Sequence, residues 1–390
     1  MNRTLWIVFV ALATLVVSGQ LRAEGDGYLA SLSDDSEDAP AAVGEAEKTL
    51  CGECYSSGNC RTGCRRGCQT DCRTDDCLTF VPMMIGADSP NVPRMAGRAS
   101  LHQSMVRVAD NRSPLPTDRV GVSYHMFHGA PLSGDLAPPD GTLHEFELLL
   151  EKQLFSGTMS VEFIVPFADT VSSTQNWTPV PTSVDKATEL GNVGLNLKCL
   201  VWQRPNMAIS GGLLVEAPTS DDLSIVTPGF TETLHTDTWY LTPYLATLIT
   251  PTERLYFQAF ASYRATTRSN DLATNGLTYM QIRDQDLLMA DGGVGYWLYR
   301  DTCARWLTGL APTVELHYTT TVTDGEGTSG ALNPRADYLN LTAGATAVIR
   351  DRSTLGLACV VPLRTGESPL IGHTDRLFDW QLAVQFNLLW

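Results

Sequence analysis

Seven cysteines are packed into residues 51–77, in the segment CGECYSSGNCRTGCRRGCQTDCRTDDC. Thiols at that density either pair or bind metal. In an oxidising compartment they pair, so a disulfide-stapled module is the first reading, and an odd number leaves one thiol over. Zinc is the sharper alternative. Cys51 and Cys54 have ligand spacing, and Cys60, Cys64, Cys68 and Cys72 recur every four residues, as they would along one helix face. Cys77 completes the set. No histidine lies in the cluster, and the Cys-x2-Cys-His signature of haem attachment is absent. A loosely paired segment is the third possibility. No cofactor is implied anywhere in the chain.

A second set of reactive groups sits farther along. Glu145, Glu147, Glu151, Glu162, Glu216, Asp291 and Glu315 fall on the polar side of alternating stretches, as do the cations Arg119, Lys198 and Arg264 and the titratable His317. Charges placed this way share the polar face of a strand and line whatever that face encloses. Lining a wet pore, they would favour cations, with Lys198 and Arg264 narrowing the path. Paired with each other, they would fill a closed interior. Enzyme chemistry finds little support. His125 and His144 lack a neighbouring His-x-Ser-Asn cluster, and Leu-Ser-Gly-Asp-Leu and Ile-Ser-Gly-Gly-Leu do not match the nucleophile-elbow pattern. The expectation is a protein that is not an enzyme.

The elements that must position these charges are strands. Twelve stretches alternate apolar and polar residues: 118–128, 142–154, 157–166, 190–203, 206–217, 237–250, 253–264, 286–299, 305–321, 337–349, 352–363 and 378–390. Trp380, Leu382, Val384, Phe386, Leu388 and Trp390 share one face of the last stretch, and Gln381, Ala383, Gln385 and Asn387 share the other. Connections alternate strictly in length. Tight turns fall at Phe155-Ser156, Pro205, Thr250-Pro251-Thr252, Arg300-Asp301 and Arg350-Asp351. Long loops cover 129–141, 167–189, 218–236, 265–285, 322–336 and 364–377. Such alternation predicts an all-β fold, a 12-stranded antiparallel transmembrane β-barrel with a Cys-rich N-terminal extension. Trp202, Trp239, Tyr240, Tyr256, Trp297, Tyr299, Trp306 and Trp390 lie near strand ends, where an interfacial girdle would place them. Cys199 and Cys359 read as small lipid-facing hydrophobes.

The domain organisation follows. Residues 1–23 have the positive start, apolar run and small-residue end of a signal peptide. Residues 24–50 are an acidic linker without periodicity. Residues 51–78 are the Cys-rich module, 79–117 a pre-barrel segment, and 118–390 the barrel. The pre-barrel segment can enter the lumen, because irregular backbone is tolerated there when buried in protein or wetted. A formal net charge of −16 argues against nucleic acid as a partner.

Two resemblances add to this reading. Val384, Phe386, Leu388 and the terminal Trp390 resemble the C-terminal strand of outer-membrane proteins, which implies that Phe386, Leu388 and Trp390 act as an assembly signal. Asn111, Ser113, Pro114, Pro116, Asp118, Arg119, Val120, Tyr124 and Phe127, in NRSPLPTDRVGVSYHMF, resemble the segment that opens the barrel in an uncharacterised family of planctomycete outer-membrane proteins. That family is similar to candidate outer-membrane transporters of the phenol-degradation meta-pathway. The resemblance covers a short stretch and carries no substrate. It implies the outer membrane of a Gram-negative-type bacterium, with membrane lipid, the assembly machinery and a small-molecule or ion permeant as partners. The expected function is a weakly cation-selective channel for small solutes. The alternative is a closed barrel that anchors the Cys-rich module.

Overall fold

The computed structural model describes residues 80–86, 106–130, 141–171, 174–176, 187–302, 304–323, 337–364, 376 and 378–390. The expected signal peptide, linker and Cys-rich module, with Cys303, lie outside the described residues.

Twelve antiparallel strands close into a barrel. They are β1 (Arg119–Ala130), β2 (Gly141–Leu154), β3 (Met159–Val171), β4 (Val193–Arg204), β5 (Met207–Ala217) and β6 (Tyr240–Ile249). The remainder are β7 (Leu255–Thr266), β8 (Leu287–Tyr296), β9 (Leu307–Thr321), β10 (Asp337–Ile349), β11 (Ser353–Pro362) and β12 (Trp380–Leu389). Each strand pairs with its neighbours in sequence, and β12 returns to β1 with Leu388 opposite Val120 and Phe386 opposite Val122. Closure leaves the barrel no free edge. All twelve predicted strands are present, each within a few residues of its expected bounds. Among the described residues there is no α-helix, and no helix is long and apolar enough to cross a membrane.

Side-chain alternation turns the usual distribution of polarity inside out. On β3, Phe163 is 47% exposed on the outer surface while Glu162 is 1% exposed within. Leu195 and Leu197 face out from β4, and Asn196 and Lys198 face in. Leu355 and Leu357 on β11, and Phe386 on β12, continue the outer apolar surface, and Gln381, Gln385 and Asn387 line the interior. Cys359 is exposed on that surface and Cys199 is half-buried.

One end of the barrel carries the short turns. Arg350 and Asp351, between β10 and β11, both adopt positive φ, at 53° and 56°. Arg352 N–H donates to the Ile349 carbonyl across them. This left-handed pair has the twist that a two-residue hairpin needs. Between β2 and β3, Phe155, Ser156 and Gly157 all have positive φ.

The opposite end corrects two expectations. Residues 218–236 and 265–285 were expected as loops, but each contains a hairpin. Strands Leu223–Thr227, Phe230–Leu234, Asn270–Thr274 and Leu277–Ile282, with Thr174–Asn176, form a separate five-stranded sheet. Leu223, Leu234, Leu272 and Ile282 make its small core. The second hairpin turns at Asn275-Gly276, both at positive φ. The Asn-Gly pair is a strong local hairpin signal that the strand pattern alone passed over.

The proposed girdle also needs correction. Trp202, Trp239, Tyr299, Trp306 and Trp390 are exposed, but Tyr240, Tyr256 and Trp297 are buried inside. Tyr256 lies flat on β8 because its cross-strand neighbour is Gly295. A Cβ at Gly295 would stand 2.1 Å from the Tyr256 ring. Tyr256 and Trp297 belong to the interior cluster nearest the short turns, with Ala208, Leu248, Ala311 and Val348.

Candidate functional site

The lumen gathers buried charged side chains from many strands, and the chain itself occupies it. Residues 80–86 and 106–118 run through the barrel as two limbs. Val81 packs in the cluster nearest the short turns, and the Gln258 side chain donates to the Pro82 carbonyl at 2.6 Å. The limb then rises. Glu315, midway along β9, accepts the Ile85 N–H at 2.9 Å and the Gly86 N–H at 2.8 Å. Thr342 of β10 donates to the Gly86 carbonyl at 3.1 Å.

The second limb descends. Val106 N–H donates to Glu216, near the far end of β5, at 3.2 Å. Arg107 meets Asp291 at 2.9 Å and donates to Thr319 at 2.9 Å. Asp110 lies 3.1 Å from the His125 ring. Ser210 donates to the Pro114 carbonyl, and Thr117 N–H donates to Glu151 at 3.2 Å, where β1 begins. The limbs touch each other. Met84 N–H donates to the Arg112 carbonyl at 2.9 Å, and Gly86, at φ 85°, lies so near Asp110 that a Cβ would come within 2.7 Å of it.

Three cations and three carboxylates form the densest part of this interior. Arg112 reaches Glu147 at 3.0 Å and Glu162 at 3.1 Å. Arg119 reaches Glu151 at 2.8 Å and Glu162 at 2.8 Å. Lys198 ends this chain of pairs on Glu151 at 2.9 Å. All six side chains are buried. Burial works against the Arg112 charge, and the carboxylates of Glu147 and Glu162 beside it compensate. An ionised group buried without partners would cost several kcal/mol, so a closed interior of this composition must pair its charges.

Near the long-loop end, Arg264 pairs with Glu216 at 2.9 Å and lies 3.6 Å over the Tyr240 ring. The Tyr240 hydroxyl donates to Asp284, which precedes β8. Burial, offset in part by that hydroxyl and by Arg264, pushes the Asp284 carboxyl up to about 6.

Every candidate lumen residue therefore faces inward: Glu145, Glu147, Glu151, Glu162, Glu216, Asp291, Glu315, Lys198 and Arg264 are all buried. The structure brings most of them against the two limbs or each other. The expectation had not named Arg107, Asp110 and Arg112, which supply the limb's charges. The signal was present in RVADNR, a charged run just ahead of the first strand. His144 points elsewhere, with its ring 2.8 Å from the Tyr124 hydroxyl among half-buried residues. Phe386 and Leu388 lie at the β12–β1 seam, and Trp390 N–H donates to the Asp118 carbonyl.

No protein-family model matches the chain, and no curated protein matches it. Among solved structures it is similar to the NanC porin at 10% identity and a TM-score of 0.43, over 70% of this chain and 100% of that one. It is similar to the COG4313 outer membrane channel from Pseudomonas putida F1 at 14% identity and a TM-score of 0.48, over 73% of this chain and 100% of that one. It is similar to the KdgM porin, solved in complex with disordered oligogalacturonate, at 11% identity and a TM-score of 0.36, over 69% of this chain and 99% of that one.

Proposed function

We propose that the chain is an outer-membrane channel for small solutes whose own N-terminal segment closes it. The membrane reading rests on the inverted polarity. Leu, Val and Phe cover the outside of a closed barrel and ionised groups fill the inside, as a hydrocarbon solvent requires. The resemblance of Asn111–Phe127 to the barrel-opening segment of outer-membrane proteins supports the same location. Phe386, Leu388 and Trp390 serve as the assembly signal in this reading.

The single observation that carries the gating is the Arg112 pair with Glu147 and Glu162. A wall that pairs its carboxylates with cations from a separate segment can exchange that segment for solvent and ions. Withdrawal of the segment removes Arg107 and Arg112. Glu145, Glu147, Glu151, Glu162, Glu216, Asp291 and Glu315 then outnumber Arg119, Lys198 and Arg264, so the open lumen prefers cations.

The test compares the full-length chain with a deletion of residues 79–112, both refolded into planar bilayers. The full-length barrel is expected to be silent and the deletion to conduct. A folded deletion that never conducts overturns the channel. The second reading, a permanently closed anchor, then stands, favoured by the near-complete burial of the ion pairs. In both readings Val81 sits at the short-turn end, which is the periplasmic mouth.

A further inference from the structure

We infer that His317 is a proton-dependent clasp that joins the two limbs of the lumen segment to the wall. This inference rests on the plugged-channel reading and names how that plug is regulated.

Asp291 on β8 and His317 on β9 are direct cross-strand partners. The imidazole Nδ1 lies 2.9 Å from Asp291 Oδ1, and Nε2 lies 3.3 Å from Glu315 Oε2. Each carboxylate holds a different limb. The same Asp291 oxygen takes the Arg107 guanidinium of the descending limb. Glu315 takes the Ile85 and Gly86 N–H groups of the rising limb. One ring therefore lies at the centre of a chain from Arg107 through Asp291, His317 and Glu315 to the backbone of residues 85–86.

The ring nitrogens decide whether that chain holds. An imidazolium donates from Nδ1 to Asp291 and sets its positive charge beside Glu315 through Nε2, an ion-pair contact rather than a hydrogen bond. A neutral imidazole has one N–H, so one lone pair must face a carboxylate in a buried site. All three side chains are buried, which leaves little solvent to relieve the conflict. Among the described residues, the charged groups facing the ring are Asp291 from β8, Glu315 from its own strand and Arg107 from the segment. Its neighbour on β10 is the neutral Asn340. Loss of one proton to solvent frees Glu315 first, across the longer contact, and with it the rising limb.

The experiment uses the full-length chain in planar bilayers, with folding verified by heat-modifiable gel mobility. The wild type is expected to stay closed at about pH 6 and to open, with at least about tenfold higher open probability, toward about pH 9. His317→Gln is expected to conduct across the range, and His317→Lys, which keeps a cation, to restore closure. Amide exchange at Ile85 and Gly86, corrected for its intrinsic pH dependence, provides a second readout. It should accelerate with pH in the wild type and be fast throughout in H317Q. If the 79–112 deletion conducts but the wild type and H317Q remain equally closed and equally protected, the clasp is wrong and the channel stands. If the deletion is silent, the channel fails, and unchanged protection at Ile85 and Gly86 in H317Q removes the clasp as well. Should H317Q not fold, wild-type exchange against pH decides alone.

Discussion

Glu162 of β3 and Arg112 of the lumen segment meet at 3.1 Å with both side chains buried, and the other oxygen of Glu162 holds Arg119 at 2.8 Å. One wall carboxylate thus serves two guanidiniums, one from the barrel and one from the segment that fills it. Losing the segment would leave Glu162 still paired.

That asymmetry predicts unequal costs for two substitutions. Glu162→Ala breaks the wall-to-wall pair with Arg119 as well as the pair with Arg112, leaving those arginines with Glu151 and Glu147, and should destabilise the barrel by about 3–5 kcal/mol. Arg112→Ala breaks only segment-to-wall pairs, those with Glu147 and Glu162, and leaves Arg119 on Glu162, so its cost should be smaller and should appear mainly as looser closure. Urea unfolding in detergent and bilayer conductance read the two effects. Equal unfolding costs would contradict the asymmetry.

Opened lumens should report their lining. In the 79–112 deletion, replacing Glu145 and Glu147 with Gln is expected to lower cation selectivity, seen as a smaller reversal potential in a salt gradient. Unaltered reversal potentials would sink the assignment of these two residues.

Asp284 provides a pH-dependent junction outside the spanning strands. Its folded pKa, raised to about 6 by burial, means that the folded state prefers the neutral carboxyl. The resulting stability is fully present below the ordinary carboxylate range and is lost as pH rises through about 6. Asp284→Asn mimics the neutral form. It should therefore stabilise residues 283–286 at about pH 8, by up to about 3 kcal/mol, and have little effect at about pH 4. Hydrogen exchange at the two pH values measures the difference, and a pH-independent effect would refute it.

Two glycines on β8 should respond differently to alanine. A Cβ at Gly295 meets the Tyr256 ring at 2.1 Å, while nothing lies within 4 Å of one at Gly292. Gly295→Ala is expected to cost about 1–3 kcal/mol and Gly292→Ala close to nothing. A Tyr256→Ala background should abolish most of the Gly295 penalty, as contacting residues couple. Thermal unfolding of the wild type and the four variants checks this, and additive effects would contradict the packing.

The barrel was legible because its information is local. A period of two assigns each residue of a strand to the outside or the inside, and loop lengths report which ends are joined tightly. Glu162 facing in and Phe163 facing out follow from neighbouring residues alone. The aromatic positions were less legible. Tyr256 and Trp297 sit near strand ends like the exposed Trp306, and the glycines that leave room for their rings, Gly295 for Tyr256 and Gly309 for Trp297, explain why they lie inward. The hairpin at Asn275-Gly276 was readable from its turn residues, but its pairing with strand Phe230–Leu234 was not, because that contact joins different loops. The sequence by itself determined the strand count, the facing of each wall charge and the segment that could enter the lumen. Only the tertiary structure decided which charges meet. Arg112 finds Glu147 and Glu162 on two different strands, and Arg107 finds Asp291 across an even longer separation. Ion pairing depends on distances of a few ångströms in a buried site, and those distances exist only after the barrel has closed around the segment.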